Sequence, residues 1–411
     1  MLQVWVENTN FASINRDAMM SKPLNKPFGE APLLPLTVSM MAGIVAGRFL
    51  PLPFPLWPLL VVVVLLALSL RRWPMWQSGA IVVCFLVLGA LLIQQDSASL
   101  PHEGERSRIE QSRQWFLQQR ALLLERLQEQ GLDGDAYAVV AAMALGDKSE
   151  LTKELRDTYA ITGASHVLAL SGLHLGIIYT LLSLMAFRRR WQVFSQLLIV
   201  LAIWAFVFLV GMSVSVVRSA IMLSVYALLS LGHRDKMSVN TLAFTAMVML
   251  AFTPSSLFDV GFQLSFTSVF FIILCLPFID GPWPYDAPLT NPVAKWGWSM
   301  IVVSCAAQLG SAPLVAYYFG RFSSWFLPVS FIVIPAATFI LWLSLLVLLV
   351  PPFAPVLVWV ATMLNRILSR IASVPGASIS GLHPSLLQIA MVYVIILAVY
   401  LIIFRRKGWW S

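Results

Sequence analysis

The stretch LWPLLVVVVLLALSL, Leu56 to Leu70, runs fifteen residues without a charge. A second, IPAATFILWLSLLVLLV from Ile334 to Val350, does the same. About 20 apolar residues cross a bilayer as a helix, so both read as spans or parts of spans. The whole chain agrees with them: 411 residues, 59% hydrophobic, 11% charged, mean hydropathy +0.82, against about 25% charged residues in a soluble domain. Open sheet leaves backbone groups unsatisfied in lipid. The expected fold is therefore an all-α polytopic integral membrane protein.

Apolar runs between charged or Pro/Gly breaks give about twelve expected transmembrane helices, some broken or re-entrant. They start near Leu33, Pro53, Gly79, Tyr159, Val193, Ser213, Met237, Leu257, Ala294, Trp325, Phe353 and Ser385. The expected organisation is a polar tail (1–32), three leading spans (33–95), an extracytoplasmic amphipathic insert (96–134), a membrane channel domain (135–404) and a basic tail (405–411). Placing Arg71-Arg72 in the cytoplasm also places Arg188-Arg189-Arg190, His233–Lys236 and Arg405–Lys407 there. This is the basic-residue bias of inner-membrane proteins, with both termini inside. The same bias accounts for the net charge of +8. The polar first thirty residues lack the short apolar core of a cleavable signal. Cys84, Cys275 and Cys305 are an odd count in apolar segments, which argues against a disulfide or zinc framework.

Within the insert, SRIEQSRQWFLQQRALLLERLQEQ (Ser107 to Gln130) places Phe116, Leu123 and Leu127 on one helical face, with Arg113, Arg120 and Arg126 among the polar positions. Such a helix suits a membrane surface better than direct contact with a polyanion.

Polar side chains recur where lipid is expected. Arg218 lies in FLVGMSVSVVRSAIMLSVYALLS, and an arginine at the bilayer centre costs about 2.5–3.5 kcal/mol on insertion scales. Gly211, Ser215, Arg218 and Met222 share a helical face. An internal ion pair and a place on a permeation path both suit Arg218, with Asp259 of DVGFQLSFTSVFF as an available partner. Asp259, Gln263 and Thr267 form one polar stripe. Ser304, Gln308 and Ser311 form another, in VSCAAQLGSAPLVAYYFG, where Pro313 suggests a broken or kinked helix. Helices lining a wet cavity have use for such stripes. In ASHVLALSGLHLG (Ala164 to Gly176), a continuous helix would hold His166 and His174 about 12 Å apart, too far to chelate. Ser171 and His174, three apart, can touch as a nucleophile and base do, although no third orienting group is evident. Cavity lining and simple packing are the competing roles, and the glycines at 163, 172 and 176 fit close approach or an interrupted helix.

Two absences narrow the function. The nearest run to a phosphate-binding loop, ALGDKS, lacks its glycine and lysine spacing. No Cys/His/Asp/Glu group has metal-site spacing. Neither catalytic residues nor a cofactor is expected, and energy for transport must come from a partner or a gradient.

Four segments, ALGDKSELTKELRDTYAITGASHVLALSGLHLG, SVSVVRSAIM, PSSLFDVGFQLSFTSV and QLGSAPLVAYYFGRFS, resemble the ComEC competence-protein family in the family's order, from about Asp135 to the C-terminus. The resemblance implies an inner-membrane channel for single-stranded DNA. It points to Ser165, His166, Ser171, Gly172, His174, Arg218, Asp259, Gln263 and Ser265 as motif positions, to which the second stripe adds Gln308. Implied partners are the bilayer, an extracytoplasmic DNA receptor, a cytoplasmic ATPase, a separate nuclease and further copies of the chain. Three departures stand out. Only 96–134 occupies the place of the family's OB-like domain, no metallo-β-lactamase-like domain follows Phe404, and Ser330 stands where the family's asparagine is expected. These describe a reduced permease. Arg218 and Arg321 would supply positive potential, and Tyr317, Tyr318, Phe319, Phe322 and Trp325 stacking surfaces, unless the aromatics form an interfacial belt. A transporter of a small or lipid-linked solute and an intramembrane hydrolase using Ser171 and His174 are the alternatives.

Overall fold

In the computed structural model, described for residues 31–50, 56–98, 103–184, 192–231, 239–279 and 291–405, helices form where the apolar runs predict them. In chain order they are α1 (Leu33–Phe49), α2 (Leu56–Ser69), α3 (Pro74–Ala98), α4 (Glu103–Glu129), α5 (Gly134–Val140), α6 (Lys153–Ile161), α7 (Ser165–Leu168) and α8 (Gly172–Leu184). There follow α9 (Gln192–Leu209), α10 (Val214–Leu231), α11 (Val239–Phe252), α12 (Val260–Cys275), α13 (Pro292–Phe319), α14 (Phe326–Leu349), α15 (Ala354–Ala372) and α16 (Leu386–Arg405). Among the described residues five helical segments are long and apolar enough to cross a membrane, and eight more are apolar but shorter. The chain is an all-α membrane protein, and among the described residues the helices are joined by one small ribbon, β1 (Arg321–Ser323) paired antiparallel with β2 (Ser378–Ser380). The N-terminal tail to residue 30 and the basic groups 188–190, 233–236 and 406–407 lie outside the described residues.

The described residues form two compact units, one within Arg113–Ala220 and Thr267–Ser411, the other within Pro23–Ser112 and Ile221–Phe266. The second unit is organised by the crossing of α1 and α3. A β-carbon on Gly43 would fall on the carbonyl of Leu86, and one on Gly89 on the carbonyl of Met40. Gly43 and Gly47, four apart, thus let two backbones touch, the small-residue crossing that helices use in lipid. Around it Met40, Ile44, Ile93, Met249, Leu250 and Phe262 form a core. The Thr37 hydroxyl donates to the Ala243 carbonyl at 3.0 Å and that of Ser39 to the Val82 carbonyl at 2.5 Å.

The first unit centres on a segment that apolar-run counting passes over. Every residue from Ala136 to Leu145 is buried, through α5 and the wide π turn that follows it (Ala141–Leu145), in a core shared with α14 and α15. Asn365 of α15 holds the segment's neighbours: its Oδ1 accepts from the Tyr159 hydroxyl at 2.8 Å and its Nδ2 donates to the Asp135 carbonyl at 3.3 Å. The amphipathic face of α4 is covered by protein rather than by a membrane surface. Leu124 and Leu127 are buried in the same core, Phe116 stacks on Phe208 with centroids 5.4 Å apart, and Arg120 pairs with Asp147 at 3.7 Å.

Two other expectations change. The helix α13 is not broken at Pro313, which lies inside it six residues before its end at Phe319; neighbouring helices re-satisfy what a proline frees in a membrane helix. Gly211 does not share a helical face with Arg218. It lies in the turn between α9 and α10 at φ +85°, where Met212 N–H bonds the Val207 carbonyl and Gly211 N–H bonds that of Phe208, the Schellman closure of a helix.

Candidate functional site

The segment 162–184 is not one helix. Gly163, at φ +80°, closes α6 with the same pair of bonds, Ala164 N–H to Tyr159 O at 2.8 Å and Gly163 N–H to Ala160 O at 3.2 Å. One turn of α7 follows, then three residues without helix, then α8. The ideal-helix spacing of His166 and His174 therefore does not apply. His166 is accessible and donates from Nδ1 to the Gly163 carbonyl at 3.0 Å. Ser165 beside it is exposed.

Ser171 and His174 do meet, and the geometry is that of a helix cap. Ser171 precedes α8, and His174 is its third residue. The His174 Nδ1 accepts the Ser171 backbone N–H at 3.2 Å and faces the Ser171 hydroxyl at 3.1 Å. A side chain at the third position reaching back to the cap N–H is half of a capping box, with imidazole in place of the usual carboxylate. Because Nδ1 accepts, a neutral ring carries its proton on Nε2. That atom is buried with no hydrogen-bond partner. No carboxylate orients this nitrogen, as the third member of a hydrolytic triad would.

The broken segment is gripped from two sides. A β-carbon on Gly163 would lie 2.9 Å from Cβ of Ser323 in β1, and one on Gly172 would lie 3.1 Å from the Ser219 hydroxyl of α10. Ser219 adjoins Arg218, which is 3% exposed and is the one charged side chain buried among the described residues. The structure thus joins three of the sequence motifs: the His-Ser-Gly segment, the Arg218 helix and the FGRFS turn. The Ser323 hydroxyl is buried without a hydrogen-bond partner. It and Ser219 were not singled out from sequence, although both lie inside quoted motifs.

The remaining predicted residues are placed differently. Asp259 is exposed and precedes α12, its Oδ2 accepting the Phe262 N–H at 3.0 Å, a helix cap favoured by the positive end of the helix dipole. Gln263 donates to the Leu257 carbonyl at 3.1 Å, and Ser265 is half-buried on the same helix. These three belong to the second unit. In the first unit Gln308 is half-buried on α13, two residues before Gly310, where a β-carbon would lie 2.6 Å from the Thr267 carbonyl. Ser311 donates to the Ala307 carbonyl of its own helix at 2.8 Å.

The last turn of α13 and the stretch through β1 carry Tyr317, Tyr318, Phe319 and Trp325, each at least 36% exposed, and an exposed Arg321. Among the described residues, two concavities in the first unit can be compared with these positions. One, of about 50 Å³, is walled by apolar side chains such as Leu123, Phe206 and Leu341. The other, of about 540 Å³, lies between the end of α4 and α15. Neither is lined by a sequence-predicted site residue. Among the described residues no group of three or more His, Cys, Asp or Glu side chains is placed to hold a metal ion.

Comparison with known proteins gives three findings. A family model described as "Competence protein" matches residues 143–406. ComE operon protein 3 of Bacillus subtilis (strain 168) is 29% identical over 290 residues, covering 67% of this chain and 35% of that protein. An uncharacterised protein of Aquifex aeolicus (strain VF5) is 31% identical over 200 residues, 48% of this chain and 45% of that one. The chain thus spans less than half the length of either relative. No solved structure matches it.

Proposed function

From the chain's membership of the competence-protein family, shown by the match over residues 143–406, we propose that it acts in DNA uptake as an inner-membrane channel subunit that passes single-stranded DNA into the cytoplasm, with both termini on the cytoplasmic side. The observation that carries this reading is the junction of the interrupted segment 163–176 with Ser219, next to the buried Arg218. A broken helix leaves backbone donors and acceptors inside a membrane protein, which is tolerated where they line a passage or are buried in protein. A single buried cation offers a polyanion attraction without the tight hold that many would impose. The accessible aromatic side chains around Arg321 offer faces on which successive bases stack.

In this reading the chain performs no covalent chemistry. The driving force comes from a cytoplasmic ATPase or an ion gradient, delivery from an extracytoplasmic receptor, and strand degradation from a separate nuclease. Ser171 and His174 serve as the cap of α8 and not as nucleophile and base.

Labelled DNA taken into the cytoplasm of an otherwise competent strain tests the proposal. Deleting the gene abolishes that signal, and Arg218→Leu does the same while the protein still inserts, since leucine removes an insertion penalty of about 2.5–3.5 kcal/mol. Arg218→Lys is partly active, because a point charge does not reproduce the planar fork. Normal uptake in the deletion strain refutes the proposal. Flux of small solutes but not oligonucleotides through proteoliposomes would reassign the protein as a solute transporter.

A further inference from the structure

The turn between α2 and α3 carries side chains that the protein itself leaves unused. The Trp73 N–H closes the tight turn Leu70–Arg72 on the Leu70 carbonyl at 2.8 Å, and α3 starts at Pro74. Arg72 is exposed, and Trp73 and Trp76 are 64% and 70% exposed. None of these three side chains has a hydrogen bond, ion pair or ring contact with another described residue. The start of α13 differs: Trp298 donates from Nε1 to the Phe278 carbonyl at 2.8 Å, and Trp296 packs edge-on against Phe331 with centroids 5.9 Å apart. An indole, with its apolar body and single polar N–H, settles where hydrocarbon gives way to headgroups. The helix α3 fixes that level, because Met75–Asp96 is long and apolar enough to cross a membrane. Its two ends, and the turn with the first of them, lie at the bilayer surfaces.

Charge selects the headgroup. From Ala31 to Gln95 the only charged residues are Arg48, Arg71 and Arg72. Helices α1 and α3 run in the same direction, Gly43 against Leu86 and Gly47 against Ala90, so Arg48 and Asp96 lie at the far end of the unit from the turn. Asp259 lies there too, since Phe258 beside it meets Phe49 with centroids 6.4 Å apart. Among the described residues of the unit, no carboxylate accompanies the two adjacent arginines. We infer that the α2–α3 turn binds the headgroup of an anionic glycerophospholipid of the phosphatidylglycerol class. The Arg72 guanidinium lies on the phosphodiester, and the indoles of Trp73 and Trp76 lie at the level of the glycerol and ester groups. A zwitterionic headgroup brings its own cation to the same phosphate and so gives the arginines no net charge to meet. A nucleic acid strand also brings phosphate, but the neighbour of this turn is set by α2. That helix packs through Leu60 on Val87 and Ala90 of α3, and exposes Val61, Val62, Leu65 and Leu68, the surface of a helix bathed in lipid. The site is independent of the proposed translocation path.

Native mass spectrometry of the detergent-solubilised full-length chain, given equal amounts of phosphatidylglycerol and phosphatidylcholine, tests the assignment. The wild type retains phosphatidylglycerol about 25-fold better, about fivefold for each arginine near the anionic headgroup. Arg72→Gln, at an exposed position, lowers phosphatidylglycerol retention about fivefold and leaves phosphatidylcholine retention unchanged. Arg48→Gln removes the same charge from the other end of the unit and leaves the preference as it was. Equal retention of the two lipids by the wild type overturns the inference, whether or not the variants fold. So does a preference that survives Arg72→Gln in full, or one that Arg48→Gln lowers as much, which would make net charge and not this turn the cause. Displacement of phosphatidylglycerol by oligothymidylate from the wild type but not from Arg72→Gln also overturns it, by assigning the turn to nucleic acid.

Discussion

In the unit built on α1 and α3, glycines sit inside unbroken helices and let two backbones touch. In the unit that holds residues 163–176, glycines such as Gly163 and Gly211 sit where helices stop, and the chain turns through a left-handed residue before resuming. Both arrangements occur in an apolar chain, yet they leave different things behind. At the Gly43–Gly89 crossing both helices run unbroken, and Thr37 and Ser39 act as fasteners between neighbours. At Gly163 and Ser171 helix ends are created inside the protein, and side chains such as His174 and Asn365 are recruited to satisfy or tether them. A polar residue at membrane depth is thus read by asking whether the helix beside it is whole.

The sharpest way to break this contrast is at the continuous crossing. Gly89→Leu forces a side chain into the Met40 carbonyl, and overpacking of this kind costs about 3 kcal/mol; thermal unfolding in detergent should show the unit destabilised by that amount or the protein failing to accumulate. Next in size is Gly163→Ala. A left-handed alanine costs about 1–2 kcal/mol, and the new methyl also presses on Ser323. Adding Ser323→Gly should recover the second part and not the first, and full recovery would mean that the turn does not need glycine. Ser171→Ala removes the hydroxyl that meets His174 Nδ1 but leaves the capped backbone N–H, and should cost about 1 kcal/mol with DNA uptake largely kept, whereas His174→Gln, which preserves an acceptor at the third position, should cost less. Abolished uptake at unchanged stability would instead favour a chemical role for the serine. The smallest effect is expected from Arg120→Gln. The ion pair with Asp147 is about one-fifth exposed at each end, and such pairs contribute about 0–1 kcal/mol, so the melting curve should barely move.

The helices themselves were legible because long apolar runs declare their ends with charged residues, proline and glycine: α1, α9, α11 and α14 begin within two residues of the expected starts. The buried segment 136–145 was not, because AYAVVAAMAL is too short for a span and sits between charged stretches. The apolar face of α4 was legible, but periodicity says nothing of what covers it. Asp259 carried the signal of a cap, an acidic residue just before an apolar run, a role that the polar-stripe reading did not name. The spacing of His166 and His174 misled because it assumed a continuous helix across Ser171 and Gly172. The ribbon of β1 and β2 joins triplets more than fifty residues apart in sequence, a pairing that three-residue strands cannot announce.

The bond between Tyr159 and Asn365 joins residues 206 apart in sequence. At roughly 5–20 residues per second, a ribosome needs on the order of 10–40 s to travel that distance. Throughout that interval the wholly apolar run from Ala136 to Leu145 has been made but α15, its eventual cover, has not. Biogenesis therefore includes a waiting period in which this hydrophobic piece must be sheltered by the insertion machinery or by the lipid itself, and slowing translation between the two should raise the fraction degraded.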